Sequence, residues 1–262
     1  MIVDALKQLA NQTLKPFDLV LTRYSHLQHL AESNSKATGD LNFMLKLPEE
    51  HTSLLLRHLG KSKSQLRQDL FVLSELGLKT NGFFVEFGAT NGVDLSNTHL
   101  LETTFQWSGI LAEPARCWHD SLRHNRRCHI STDCVWSKSN ATLVFNEVDT
   151  AELSTINNFS SSDGHHQARN KGKTYDVRTI SLIDLLERYA APTQIDYLSI
   201  DTEGSEFEIL NSFDFDKYQI SVITCEHNFG FTRELIFNLL TSRGYTRRFE
   251  ELSAWDDWYV KT

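Results

Sequence analysis

The chain has 262 residues, with 26 Lys+Arg against 34 Asp+Glu and a net charge of −8 at pH 7. That length makes one full domain plus an appendage, and 40% hydrophobic with 11% aromatic residues is material for a packed core, which excludes a disordered chain. The acidic balance disfavours duplex nucleic acid as a partner, because binding phosphates needs a net basic face.

Cys117, Cys128, Cys134 and Cys225 form no C-x-x-C pair and no zinc-type spacing, so they read as free thiols in a reducing compartment. The start of the chain lacks a signal-peptide pattern, and no run of apolar residues is long enough for a membrane span. The expectation is a cytoplasmic protein without a membrane span.

In chain order, Leu6, Leu9, Leu14 and Phe17, then Leu21, Tyr24, Leu27 and Leu30, recur near helical spacing, and the stretch 32–40 reads as a loop. A further helix is expected over 64–76. Residues 1–63 are therefore a helical N-terminal extension, a candidate surface for self-association, and 64–262 the main domain. His26, His29, His51 and His58 are expected on its solvated faces.

From Asn81 short apolar runs alternate with helical stretches. Strands are expected at 83–87, 109–113, 129–136, 195–201 and 220–226, with a β-arm or sheet extension at 141–148. Helices follow at about 94–105, 114–124, 203–213 and 232–243, and Ser205 with Glu208 has the form of a capping box. This alternation predicts a parallel sheet covered on both faces. Strands at 245–249 and 258–261 are too close for a crossover helix and should pair as an antiparallel hairpin. The sum is an α/β, Rossmann-like seven-stranded sheet of the class I methyltransferase layout, ending in a hairpin. Residues 157–173, with His165 and His166, are polar and without periodicity and read as a loop that could lie over a site. Trp255 and Trp258 read as packing residues.

Chemistry concentrates at the expected strand ends. Val85-Glu86-Phe87-Gly88-Ala89-Thr90-Asn91-Gly92 couples an acidic strand end to Gly-x-x-x-Gly, which lets a cofactor approach the backbone. Thr90 breaks the dinucleotide fingerprint G-x-G-x-x-G, favouring S-adenosylmethionine over a nicotinamide cofactor. Glu86 then serves the methionyl ammonium directly or through its loop. Glu113 stands where nucleotide sites place the acid that takes the ribose hydroxyls, and Asp133 is the acceptor expected near the adenine amino group.

Asp201, Glu203 and Glu206 crowd the end of the fourth main strand, where uncompensated carboxylates are costly. Glu226, His227 and Asn228 end the neighbouring strand and should face them. Two mechanisms fit this pairing: His227 or Asp201 as general base for a hydroxyl, or Asp201 with Glu226 and Asn228 holding Mg²⁺ or Mn²⁺.

These segments together resemble the FkbM family of S-adenosylmethionine-dependent methyltransferases over residues 64–262. The resemblance rests on Ser64-Gln65 with Gln68-Asp69, on Val85 to Gly88 with Gly92 and Ser96-Asn97-Thr98, on Gly109 to Pro114, and on Ile200-Asp201-Thr202-Glu203-Gly204-Ser205-Glu206 ahead of Glu226-His227. It implies O-methylation of a hydroxyl on a sugar, a glycan or a polyketide-type small molecule. It also implies cofactor contacts from Gly88, Gly92, Asn97 and Glu113, with Asp201 beside the reacting methyl. Members often carry Asp where this chain has Glu86. The competing expectations are a nucleotide-cofactor oxidoreductase and a non-catalytic assembly module that binds the same cofactor.

Overall fold

The computed structural model describes residues 10–17, 22, 24–161 and 164–262. It divides into two compact units, residues 1–46 and 47–262. The first unit carries helix α1 (Tyr24–Lys46), so the segment 32–40 is helical and not a loop. Its side chains from 33 to 39 are exposed. It contains no proline, and its Ser, Asn and Gly residues each cost a helix only a fraction of a kcal/mol to about 1 kcal/mol. The first nine residues lie outside the described part, and with them Leu6 and Leu9.

The second unit opens earlier than the expected seam at 63/64. Helix α2 (Glu49–Leu56) belongs to it. Leu55 is fully buried, and His51 lies 3.3 Å from the Ser74 hydroxyl of α3 (Gln68–Glu75). His58 is half-buried against the Phe105 ring at 5.1 Å, so these two histidines face packing partners and not solvent alone.

The remaining elements are β1 (Phe83–Phe87), α4 (His99–Phe105), β2 (Ser108–Ala112), α5 (His119–Asn125), β3 (His129–Ser131), β4 (Cys134–Trp136), β5 (Thr142–Glu147) and β6 (Thr155–Ile156). They continue with α6 (His166–Arg169), β7 (Lys173–Ser181), α7 (Leu182–Arg188), β8 (Gln194–Ile200), α8 (Glu206–Asn211), β9 (Gln219–Glu226), α9 (Arg233–Ser242), β10 (Tyr245–Arg248) and β11 (Asp256–Lys261). Seven strands form the main sheet in the order β10-β11-β9-β8-β1-β2-β3. β3, β2, β1, β8 and β9 run parallel, and β11 is inserted antiparallel between β9 and β10. That is the class I methyltransferase order, with the expected terminal hairpin in register Tyr245↔Lys261 to Arg248↔Trp258. The central strands are mainly apolar, as double-sided burial requires, with Glu86 and Ser199 among the buried polar exceptions. Among the described residues no helix is long and apolar enough to cross a membrane.

One expected strand is two. The run 129–136 breaks after Ser131, and Cys134–Trp136 leaves the main sheet to pair with β7. The kink is fixed at Asp133, whose N–H bonds the Ser131 hydroxyl and whose carboxylate holds Arg178 and Arg188. β4, β7, β5 and β6 build a second, four-stranded sheet, the arm suggested by residues 141–148. Ala115, Cys134, Phe145, Ile156 and Val177 form a small core for it.

Trp258 on β11 is fully buried against Phe71 of α3 at 4.8 Å and Phe249 at 6.3 Å. It joins the hairpin to the helix that precedes the sheet. Trp258→Ala should lose about 3–5 kcal/mol of stability, read as a lower urea midpoint at unchanged slope.

Candidate active site

The carboxyl ends of β1, β2, β8 and β9 open onto one cavity of about 490 Å³. At its β1 side, Glu86 is buried and receives Ser96 Oγ (3.0 Å), Asn97 N–H (2.7 Å) and Thr98 Oγ1 (2.5 Å). Arg126 stands 3.8 Å away and also bonds the Gly92 carbonyl (3.0 Å) and Thr98 Oγ1 (2.9 Å). The Ser96, Asn97 and Thr98 donors all belong to the loop after β1, and Glu86 also borders the cavity. Helix α4 starts at His99, later than expected, because residues 96–98 are tied to that carboxylate.

Gly88 has φ +72°, and a Cβ there would stand 1.9 Å from the Asp201 carbonyl. Only glycine lets β1 and β8 end this close together. Gly92 also needs a left-handed backbone (φ +78°), but its missing Cβ makes room for Arg126 and Leu122. It does not line the cavity, so it shapes the turn behind it.

Glu113 lines the cavity and accepts Thr90 N–H (2.8 Å) and Ala115 N–H (2.7 Å). Burial pushes its pKa up to about 7. Asn97 lines the cavity as well; its amide donates to Ser199 Oγ (3.0 Å), while its Oδ1 is buried and without a partner in the protein. Asp133 is elsewhere. Its carboxylate is bound by Arg178 (3.1 and 3.0 Å) and Arg188 (2.6 Å), and the cavity wall is formed by its neighbours Cys134 and Val135.

At the β8 and β9 ends, Asp201, Glu203 and Glu226 each bring a carboxylate oxygen within 4.8 Å of the others. Burial pushes Asp201 up to about 7, opposed by a hydrogen bond from Glu226 and reinforced by Glu206, Glu86 and Glu113. Burial, then the charge of Asp201, raises Glu226 well above the usual carboxylate range. Burial thus favours the protonated form of both carboxyls.

Glu203 differs, because Arg169 of α6 reaches it at 2.6 Å and Asn228 Nδ2 at 3.2 Å. Glu206 folds back to accept the N–H groups of Thr202 (2.9 Å) and Gly204 (3.0 Å). It caps its own turn, and the Ser205 hydroxyl donates to Thr202 Oγ1 instead of closing a capping box.

His227 points away from this group and does not line the main cavity. Its Nδ1 accepts the Phe229 N–H at 3.0 Å and its Nε2 lies 3.7 Å from Asp257. Asn228 does line the cavity, with its amide turned to Glu203. Arg169, which reaches Glu203, and Phe229, which lines the cavity, join the site without a signal in the sequence. Trp258 is core as expected, whereas Trp255 borders the cavity.

The Methyltransferase FkbM domain family matches residues 86–247, which is most of the chain. The chain belongs to the FkbM methyltransferase family. A solved structure of methyltransferase FkbM from Methylobacillus flagellatus KT is similar at 14% identity and TM-score 0.46, covering 88% of this chain and 60% of that one. The chain thus spans well under two thirds of that protein's length. Precorrin-6y C5,15-methyltransferase from Geobacter metallireducens GS-15 is similar at 12% identity and TM-score 0.39, covering 73% and 85%. No curated protein sequence matches the chain. The FkbM match begins at Glu86 and takes in Glu113, Asp201 and Glu226, the acidic strand ends of the cavity.

Three acids of the chain, Glu113, Asp201 and Asp256, are each raised to about 7, chiefly by burial. Unfolded, they titrate near 4. The folded state therefore binds more protons between about pH 4 and pH 7, and stability falls as pH rises through that window. The melting temperature should be higher at pH 5 than at pH 8, and the double variant Asp201→Asn, Glu226→Gln should flatten the profile.

Proposed function

We propose that the chain is an S-adenosylmethionine-dependent O-methyltransferase acting on a hydroxyl of a sugar, glycan or related natural product. The observation that carries this reading is the sharing of one cavity by two groups of residues. Asn97, Gly88 and Glu113 line it together with the carboxyl pair Asp201 and Glu226.

The first group fits the cofactor's polar ends. Asn97 Oδ1 is a buried acceptor without a protein partner, suited to an ammonium. Glu113 uses one lone pair of each oxygen on a backbone N–H and keeps the others for ribose hydroxyls. Gly88 keeps the floor free of side chain. When bound, S-adenosylmethionine supplies a methyl group made electrophilic by its sulfonium.

Asp201 takes the proton from the acceptor hydroxyl as that oxygen becomes nucleophilic, and Glu226 holds Asp201 in place through their hydrogen bond. A base whose pKa lies near 7 is matched to this task at neutral pH. His227 is turned out of the cavity, which leaves the carboxyl pair as the base. The nicotinamide reading loses its footing, because the loop after β1 is shaped by Glu86 and Arg126 around Thr90 and not by a third glycine.

The acidic trio does not fit a resident divalent cation. Glu203 is neutralised by the Arg169 guanidinium, and Asn228 presents an amide N–H to Glu203. A metal would have to displace both and drive deprotonation of Asp201 and Glu226, whose raised pKa values oppose it.

Titration calorimetry with S-adenosylhomocysteine tests the reading; no heat at high micromolar ligand would sink it. Asp201→Asn should cut methyl transfer by at least 10²-fold with S-adenosylhomocysteine affinity kept within about threefold. Wild-type activity should survive EDTA, and its loss with rescue by Mg²⁺ or Mn²⁺ would overturn the metal-free base.

A further inference from the structure

Among the described residues, the turn after β9 stands apart in two respects. Asn228 and Phe229 are consecutive non-glycine residues with left-handed backbone, φ 42° and 56°, a conformation that persists only where the surroundings impose it. Phe229 and Phe231, 71% and 79% exposed, are the exposed aromatic side chains among the described residues, and both lie in this turn.

His227 imposes the conformation. Its Nδ1 accepts the Phe229 N–H (3.0 Å) and its carbonyl accepts the Gly230 N–H (2.6 Å). The N–H groups of His227 and Asn228 both go to the Trp255 carbonyl, at 2.9 and 3.2 Å. Because Nδ1 accepts, the ring proton belongs on Nε2, which faces Asp257 at 3.7 Å. Asp257 is itself fixed by Arg233 (3.0 and 2.8 Å), Arg247 (3.3 Å) and the Tyr259 hydroxyl (3.2 Å). Nε2 has no hydrogen-bond partner among the described residues, so the ring clamps the turn through Nδ1, and the turn presents Asn228 and Phe229 to the cavity.

We infer that His227 is a positioning residue: through the Phe229 N–H it holds the Asn228–Phe229 turn so that the Phe229 ring forms a platform at the cavity mouth for the C–H face of a pyranose acceptor. An exposed ring continuous with a polar cavity suits a ligand with one apolar and one hydroxylated face. The word acceptor rests on the methyl-transfer reading above; the clamp does not.

Amide hydrogen exchange, run with and without S-adenosylhomocysteine, reads the clamp without any acceptor. His227→Ala should lower protection of the Phe229 amide at least tenfold while S-adenosylhomocysteine affinity moves less than threefold. His227→Asn offers a carbonyl oxygen in the place of Nδ1 and should restore protection. Unchanged protection in His227→Ala, or no recovery in a folded His227→Asn, overturns the clamp.

Methyl glycopyranosides serve as acceptor probes for the platform. Phe229→Ala should raise their KM about tenfold more than it lowers kcat, and an unchanged KM overturns the platform. If the wild type binds S-adenosylhomocysteine yet methylates none of these glycosides, the platform and the sugar reading both fail, while the exchange data still decide the role of His227.

Discussion

The Glu86 carboxylate, buried beneath the loop after β1, is the point on which the cofactor side of the cavity is built. It gathers Ser96, Asn97 and Thr98 within hydrogen-bond distance, and Arg126 sits behind it. A carboxylate so deep is tolerable only because its lone pairs are filled and a cation faces it. The same arrangement fixes where Asn97 Oδ1 points, since the Asn97 N–H is one of the donors. Arg126 carries the constraint further, through Nε to Glu102 of α4 at 2.5 Å and through Nη1 to the Gly92 carbonyl. The turn, the loop and the helix after it hang on one ion pair.

The rest of the acidity at the strand ends is handled in two different ways, and the difference divides the site by role. Glu203 has a guanidinium and an amide N–H, so its charge is spent on structure. Asp201 and Glu226 have each other, and burial raises the pKa of both. Asp256, opposite Glu226 in the β11–β9 register, adds a third buried carboxyl held by Gln68 at 2.7 Å. Carboxyls that keep protons near neutral pH can take and return one during a reaction; carboxylates locked to arginine cannot.

Much of this was legible in the sequence wherever a strand end delivers its residue straight to the sheet edge. Glu113 after Gly109-Ile110-Leu111-Ala112, and Asp201 after the apolar β8, follow from one-dimensional pattern because parallel strands put their carboxyl ends together. The terminal hairpin was legible from loop length alone. Legibility stopped where a side chain's direction depends on the chain's next bend. His227 and Glu226 are neighbours in sequence, yet only one faces the cavity, since the left-handed turn at Asn228 rotates the other outward. Asp133 is lost to the site because two arginines far along the chain, Arg178 and Arg188, claim it. β7 was missed despite Tyr175, Val177 and Thr179 at alternate positions, because it follows a polar stretch and pairs within the arm instead of the main sheet. Arg169 carries no local signal: a basic residue in a polar segment reads as solvated until the fold buries it against Glu203.

That burial explains how the arm becomes part of the site. The arm sheet is an insertion between the third and fourth strands of the main sheet, with its own small core, and insertions of this kind are free to pack in many ways. Here it is tied to the end of β8 by polar contacts. Arg169 bonds Glu203, and the Thr155 hydroxyl donates to the Glu203 carbonyl at 2.9 Å. Glu203 is itself left-handed, φ 59°, so the turn after Asp201 and the arm hold each other in place. The cavity wall made by Phe145, Leu153 and Ile156 is therefore set by the same residue that crowds Asp201. The second acid of the Asp-x-Glu-Gly element thus serves, in three dimensions, as the anchor of the wall.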